Sequence, residues 1–333
     1  MSSSPTLHPS RQPSSPHTPR PQLVPPLRPR YTALALWHLL SLDAPTVAAL
    51  WTLFIARCSH LTLPRTALAA MFVAVWMIYA ADRLLDARLL DTGLPESRTS
   101  PPGLEARHQF HHRHRTAFLT VILLGSLALA TLLQRIDPRA LHLYVLLATL
   151  LAAWMILIHI RPEPNGTTRR LPKELAVGIF FPAAIFIPTL ARTTPTPTAV
   201  HLLGWTANWL RPNLLPSAIL FACVCTLNCL CLYAWEHPTK PLQDHPTPPQ
   251  QAHWTTRWAT AHLTQLALSL LAASTIATMS LSPPIALPAL ACSLSTAALF
   301  ALNLYRRHLS PIHLRAAADL VLLTPILLLP FAR

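Results

Sequence analysis

The amino-acid sequence predicts an all-α, polytopic integral membrane protein: nine transmembrane helices forming one domain over residues 31–333, behind a disordered tail over 1–30. Three observations predict it. Of the 333 residues, 52% are hydrophobic and only 11% are charged, against roughly 25% charged in soluble domains. Apolar runs recur from Ala33 to the C-terminus, each near the ~20 residues that a membrane-spanning helix needs. The chain holds 35 prolines against 6 glycines, most of the prolines in the tail and between the apolar runs. That distribution punctuates helices and does not build strands.

Taken in order, residues 1–30 are rich in Pro, Ser, His and Arg and contain no acid. They lack the apolar core of a secretory signal, and disorder is the default for such a composition. Arg11, Arg20, Arg28 and Arg30 give the tail a charge that suits an anionic membrane surface. Nine apolar segments follow, at 32–56, 64–86, 116–134, 139–160, 173–191, 213–236, 258–281, 284–305 and 311–331. Cys58-Ser59-His60 splits the first from the second. Pro64, Pro138, Pro172, Pro212, Pro283 and Pro311 stand at helix starts, where a missing N–H costs little. The fifth segment is short and interrupted by Pro182 and Pro188. Four of the 6 cysteines, Cys223, Cys225, Cys229 and Cys231, crowd the sixth segment without a CxxC pair or a neighbouring histidine. Small apolar fillers of a buried helix account for them, with a metal or redox site the lesser alternative.

The formal net charge of +14, with 17 histidines besides, would suggest nucleic acid in a soluble protein. Here no recognition motif accompanies it and the basic residues cluster at helix ends, so membrane lipids with anionic headgroups or a phosphate-bearing substrate fit better. With the N-terminus and the loops after even-numbered segments on one side, that side holds 19 of the 26 Lys and Arg and the other holds 7. The asymmetry predicts a cytoplasmic N-terminus and an external C-terminus, in a membrane such as the bacterial inner membrane.

On that topology the acids near helix ends converge on one cytoplasmic mouth. Asp82 and Asp86 end the second segment, four residues apart and on one helical face. Two adjacent carboxylates repel unless they share a cation, and Mg²⁺ takes one or two carboxylates plus substrate phosphates. The structural reading is a solvated helix end neutralised by Arg83 and Arg88. Lys173 and Glu174 open the fifth segment; Glu174 complements the helix dipole, and Lys173 offers a cation to a diphosphate. Asn228, Tyr233 and Glu236 lie on the sixth segment. Asn228 reads as interhelical glue, and Glu236 as a metal ligand facing Asp82 and Asp86. Asp319 is four residues from Arg315, either an ion pair that eases insertion or a polar wall to the cavity. The run Arg107 to Arg115 holds four histidines and three arginines. It suits headgroups or phosphate before metal, with Arg115 the contact nearest the membrane. Asp43, in Ser-Leu-Asp-Ala-Pro, reads as a cap before Pro45 and stays outside the predicted site.

No Walker A motif, Rossmann glycine pattern, GxSxG or zinc-finger spacing occurs, and 6 glycines leave no Gly-rich phosphate cradle. With its helix count, its orientation and the placement of Asp82 and Asp86, the chain resembles the UbiA superfamily of intramembrane prenyltransferases. Asp82 and Asp86 fall on the two aspartates of that family's first Asn-x-x-x-Asp-x-x-x-Asp motif, with Ile78 in place of the asparagine. Tyr233-Ala234 is similar to the start of the second motif, Glu236 stands near an aspartate position, and Lys240 occupies the spacing of another acid. The resemblance implies a UbiA-like helical bundle that binds Mg²⁺ through Asp82, Asp86 and Glu236. It implies transfer of a prenyl group from its diphosphate to a small acceptor, with Arg83, Lys173, Arg115, Asn228, Tyr233 and Asp319 on the substrate. The alternative is a non-catalytic or transporter-like protein that binds a lipid diphosphate or an ion at the same mouth.

Overall fold

Every element in the computed structural model of the chain is helical, and no strand occurs among the described residues, which are 32–91, 109–160, 173–193, 214–236, 253–283 and 285–332. In order the helices are α1 (Ala33–Leu39), α2 (Asp43–Cys58), α3 (Arg65–Asp91), α4 (Arg115–Leu133), α5 (Pro138–Ile160) and α6 (Lys173–Thr193). They continue as α7 (Leu215–Glu236), α8 (Trp254–Ala261), α9 (Leu263–Ser280), α10 (Ala286–Tyr305), α11 (Pro311–Val321) and α12 (Pro325–Leu328). Seven spans are long and apolar enough to cross a membrane, and α1 with α2, bent by 89°, makes up to 8. The protein is a multi-pass helical bundle. The remaining predicted segment, 139–160, is helix α5, whose stretch Pro138–Trp154 stands among the shorter apolar helices. The predicted tail, Lys240 and Asp244 lie outside the described residues.

The first span breaks where the sequence stops being apolar. α1 is capped by Thr32, whose Oγ1 accepts from the Ala35 N–H, and it ends within two turns. Ser41 then adopts φ 59°, a left-handed conformation that costs a non-glycine residue roughly 1–2 kcal/mol. Asp43 opens α2 by accepting from the Ala44 N–H at 2.9 Å, and Pro45 sits in the first turn, where no donor is missed. A helix broken inside a membrane exposes carbonyls that lipid cannot satisfy. Helix α3 supplies the donors: Arg83 Nη1 donates to His38 O at 2.5 Å and Trp76 Nε1 to Leu40 O at 3.1 Å.

Around this corner the core is built on Trp51 of α2. Its ring stacks on Phe221 of α7 at 3.9 Å and meets Phe54 edge-on at 5.9 Å. Its Nε1 donates to Leu322 O just beyond α11, at 2.8 Å. Ala48, Ala56, Ala289, Ala291, Ala316 and Ala318 are all fully buried. Helices in a bilayer gain nothing from leaving lipid for protein, so close backbone approach through small residues is what holds them. At the other extreme, Phe118 is the one buried residue of α4, which meets α3 also at Gly125, beside Met77 and Val73. The cysteines of α7 are free, with Cys225 and Cys231 buried, as fillers should be. Helix α6 runs through Pro182 and Pro188 without stopping.

Gly178 of α6 marks the tightest contact, because an added Cβ would lie 1.9 Å from Thr226 Oγ1 on α7. We expect Gly178→Ala to force α6 and α7 apart and cost about 1–3 kcal/mol. At Gly125 the nearest atom to an added Cβ is the flexible Met77 Sδ at 3.3 Å, so Gly125→Ala should change little. Melting of the two purified variants in one detergent checks the contrast; equal losses would contradict it.

Candidate functional site

One buried polar centre joins five helices at a single end of the bundle. Arg83, only 4% exposed near the end of α3, spreads its guanidinium over the break in the first span. Besides His38 O, Nη1 donates to Ser41 Oγ at 2.9 Å, and Nη2 to Asp43 Oδ2 at 3.0 Å. His38 Nδ1 lies 2.6 Å from the same Asp43 oxygen and 3.5 Å from Asp319 Oδ2 of α11. Asn228 of α7 donates from Nδ2 to Asp319 Oδ1 at 3.3 Å. His38, Asp43 and Asp319 each offer a donor atom, all within 4.8 Å of one another. In apolar surroundings such charges persist only when paired and hydrogen-bonded, and the Arg83 fork meets that need for Asp43.

A second polar layer lies at the same end. Glu236, the last residue of α7, is ion-paired with Arg315 of α11. Beside it, Trp235 Nε1 donates to Asn303 Oδ1 at 2.9 Å, and Arg306 Nη1 donates to the same oxygen at 2.8 Å. Glu174, in the first turn of α6, accepts from Thr256 of α8 at 3.3 Å. Asp82 is exposed next to Arg83. Asp86 stands one helical turn further along α3, with its side chain outside the described residues. The Lys173 side chain is likewise outside them, although its backbone opens α6.

Three residues have surroundings that the sequence reading did not anticipate. Arg83, expected at a substrate, is buried and held by the broken span, because α1–α2 needs its donors. Glu236, expected beside Asp82 and Asp86 as a metal ligand, is engaged by Arg315. Asp43, set outside the site, is at its centre, and His38 joins it without having been singled out. The signal for both was present in the chain: an acid and a histidine five residues apart inside an apolar run, where an ionisable group is a functional candidate by default. Asn228 and Asp319, from separate helices, are brought together by the Nδ2–Oδ1 hydrogen bond. Tyr233 lies part-buried one turn before Glu236.

The basic run also divides. His112, Arg113, His114 and Arg115 are exposed, whereas His111 is buried, 4.4 Å from the Phe118 ring and with Nε2 3.3 Å from Ser41 Oγ. This docks the run onto the break. Below it opens an apolar groove of about 690 Å³, lined by Leu42, Phe72, Trp76 and Phe118 among others, with His114 at its polar end. That volume falls within the usual range of small-ligand sites.

Mg²⁺ keeps near-octahedral oxygen coordination and accepts one or two carboxylates with phosphates and waters completing the shell. By chemistry alone the Asp82 and Asp86 pair, one turn apart in α3 with only the Asp82 side chain described, is of that kind. The His38–Asp43–Asp319 cluster is not, since it presents a nitrogen and already contains a guanidinium. The chain matches no family model, no curated protein and no solved structure.

Breaking the Arg83 fork should be costly, because Asp43 would remain buried without its partner. Arg83→Met is expected to destabilise the protein by about 3–5 kcal/mol, and adding Asp43→Asn should recover part of the loss. Chemical or thermal unfolding of the single and double variants checks this. A double variant no more stable than the single one would show that the carbonyl of His38, and not the Asp43 charge, is what Arg83 serves.

Proposed function

We propose that the protein is a Mg²⁺-dependent intramembrane transferase, moving a prenyl or related polyisoprenoid group from its diphosphate to a small acceptor. The supporting observation is the layout of α3. Its end carries exposed Asp82 and then Asp86, while Phe72 and Trp76, two to three turns back, wall the apolar groove. One helix thus offers an amphiphile a place for a charged head and a place for an apolar tail. We further count α5 as a span, giving nine, with the N-terminus in the cytoplasm.

In this reading Asp82 and Asp86 hold the metal, whose charge counters the negative charge that develops on the departing diphosphate. Arg115 and Lys173 contact diphosphate oxygens as cations at the heads of α4 and α6. Asn228, Tyr233 and Asp319 form the polar wall. The apolar groove keeps water from an allylic cation. The Glu236–Arg315 pair favours a second reading, a non-catalytic protein that binds a lipid diphosphate at the same mouth, because it occupies the acid expected opposite Asp82. Release of diphosphate with a mixture of acceptors separates the two.

Asp82→Asn and Asp86→Asn should each weaken Mg²⁺-dependent binding of a prenyl diphosphate at least tenfold, about 1.4 kcal/mol, and leave the ligand-free protein as stable as before. Unchanged binding in both would remove the site. For the topology, cysteines placed singly at Ser3 and Arg333 should label from opposite sides of the membrane; labelling from one side would overturn the count of nine.

A further inference from the structure

The apolar groove beside the break in the first span has a polar end of its own. Helix α4 lines it along one face, from His114 through Phe118 and Val121 to Ala128. At 1.5 Å per residue that face is about 21 Å long. One leaflet of a ~30 Å hydrocarbon core gives a lipid chain roughly 15 Å, so a single chain fits lengthwise. The other walls include Phe72 and Trp76 of α3 and Leu40 and Leu42 of the break. Val121 and Leu124, both in the lining, remain 47% and 58% exposed. The groove is therefore open along its side, and a chain can enter it without parting the helices.

His114 is the one ionisable residue in the lining, and it does not stand alone. His112, Arg113 and Arg115 are exposed around it, and no acid occurs from 109 to 133. His114 is also the N-cap of α4, and no side chain caps that helix start, where an anion is favoured. An apolar chain gains little by leaving lipid for an apolar groove. The groove thus fixes where a chain lies, and the cations select the head that it carries. A zwitterionic head brings a positive charge to them; an anionic head brings none.

We propose that the groove holds one acyl chain of an anionic phospholipid, whose phosphate lies against His114 with Arg113 and Arg115 on either side. Bound there, the lipid fastens α4 to α3 and to the break at Leu40 and Leu42, a place where α4 itself buries only Phe118. The inference goes beyond the transfer reading and does not rest on it. A prenyl tail and this chain would exclude each other from the groove, which makes the phospholipid a competitor at that site.

The test uses the full chain, purified in a neutral detergent and stripped of lipid. It is titrated in EDTA with dioleoyl phosphatidylglycerol or dioleoyl phosphatidylcholine, and bound lipid is counted by native mass spectrometry. We expect one phosphatidylglycerol to bind about tenfold more tightly than phosphatidylcholine, the preference that two arginines near an anionic head supply. Arg113→Gln combined with Arg115→Gln should cut that preference about fivefold and leave phosphatidylcholine binding unchanged. Ala117→Trp and Ala128→Trp, at exposed positions of the lining, should each weaken both lipids. Equal affinity for the two lipids overturns the proposal, and so does a series of equivalent lipids with no single tight one. Phosphatidylglycerol binding untouched by both tryptophan variants places the lipid elsewhere and overturns it too. A protein dimer whose mass disappears in Ala128→Trp makes the occupant a second copy of the chain, which equally rejects the phospholipid. No prenyl diphosphate is present and EDTA leaves Asp82 and Asp86 without metal, so failure of the transfer reading neither produces nor hides any of these results.

Discussion

The Arg83 guanidinium over the break in the first span is the interaction on which the rest of the structure depends. A helix bent by 89° inside an apolar bundle leaves carbonyls that only protein can satisfy, and α3 reaches across with Arg83 and Trp76 to do so. The same fork holds Asp43 at the head of α2, and so fixes where His38 and Asp319 meet. Arginine is suited to this because its planar donors serve a carbonyl, a hydroxyl and a carboxylate at once. Remove that fork and the strained Ser41, the buried Asp43 and the corner of the core on Trp51 lose their common support.

This arrangement separates two kinds of charge. Inside lies the self-paired centre of His38, Asp43, Arg83 and Asp319, whose groups face one another. Outside, at the same end, lie Asp82, Glu174, the Glu236–Arg315 pair and the exposed basic residues ahead of α4. The inner set sits in a low dielectric where each unpaired charge is expensive. The outer set has access to solvent and can exchange partners. The inner layer sets the geometry on which that outer layer stands.

The apolar groove follows from the same corner. Bending the first span away opens a space between α3 and α4, with Leu42 at its rim and His111 pinned against Ser41. The wall that α4 gives the groove includes Ala117, Phe118, Val121 and Leu124. An apolar chain can lie along α3 there without displacing the core.

The sequence by itself determined the class of the protein. Apolar runs of spanning length, sparse charge and prolines at helix starts suffice for an all-helical membrane bundle, because bilayer thickness and backbone hydrogen bonding leave few alternatives. It also placed Asp82 and Asp86 one turn apart on a single helix, since the helical period decides such positions. What it could not determine is which charges pair. Asp43 resembled a cap and Arg83 a partner of Asp82, for neighbours along a chain are visible while contacts 40 residues apart (Asp43 to Arg83) or 281 apart (Thr32 to His313) are not. Tertiary structure decided that Arg83 turns inward to the broken span and that Glu236 pairs with Arg315. The reason is desolvation: once helices pack, a buried charge takes the partner that geometry brings nearest, whatever its place in the sequence.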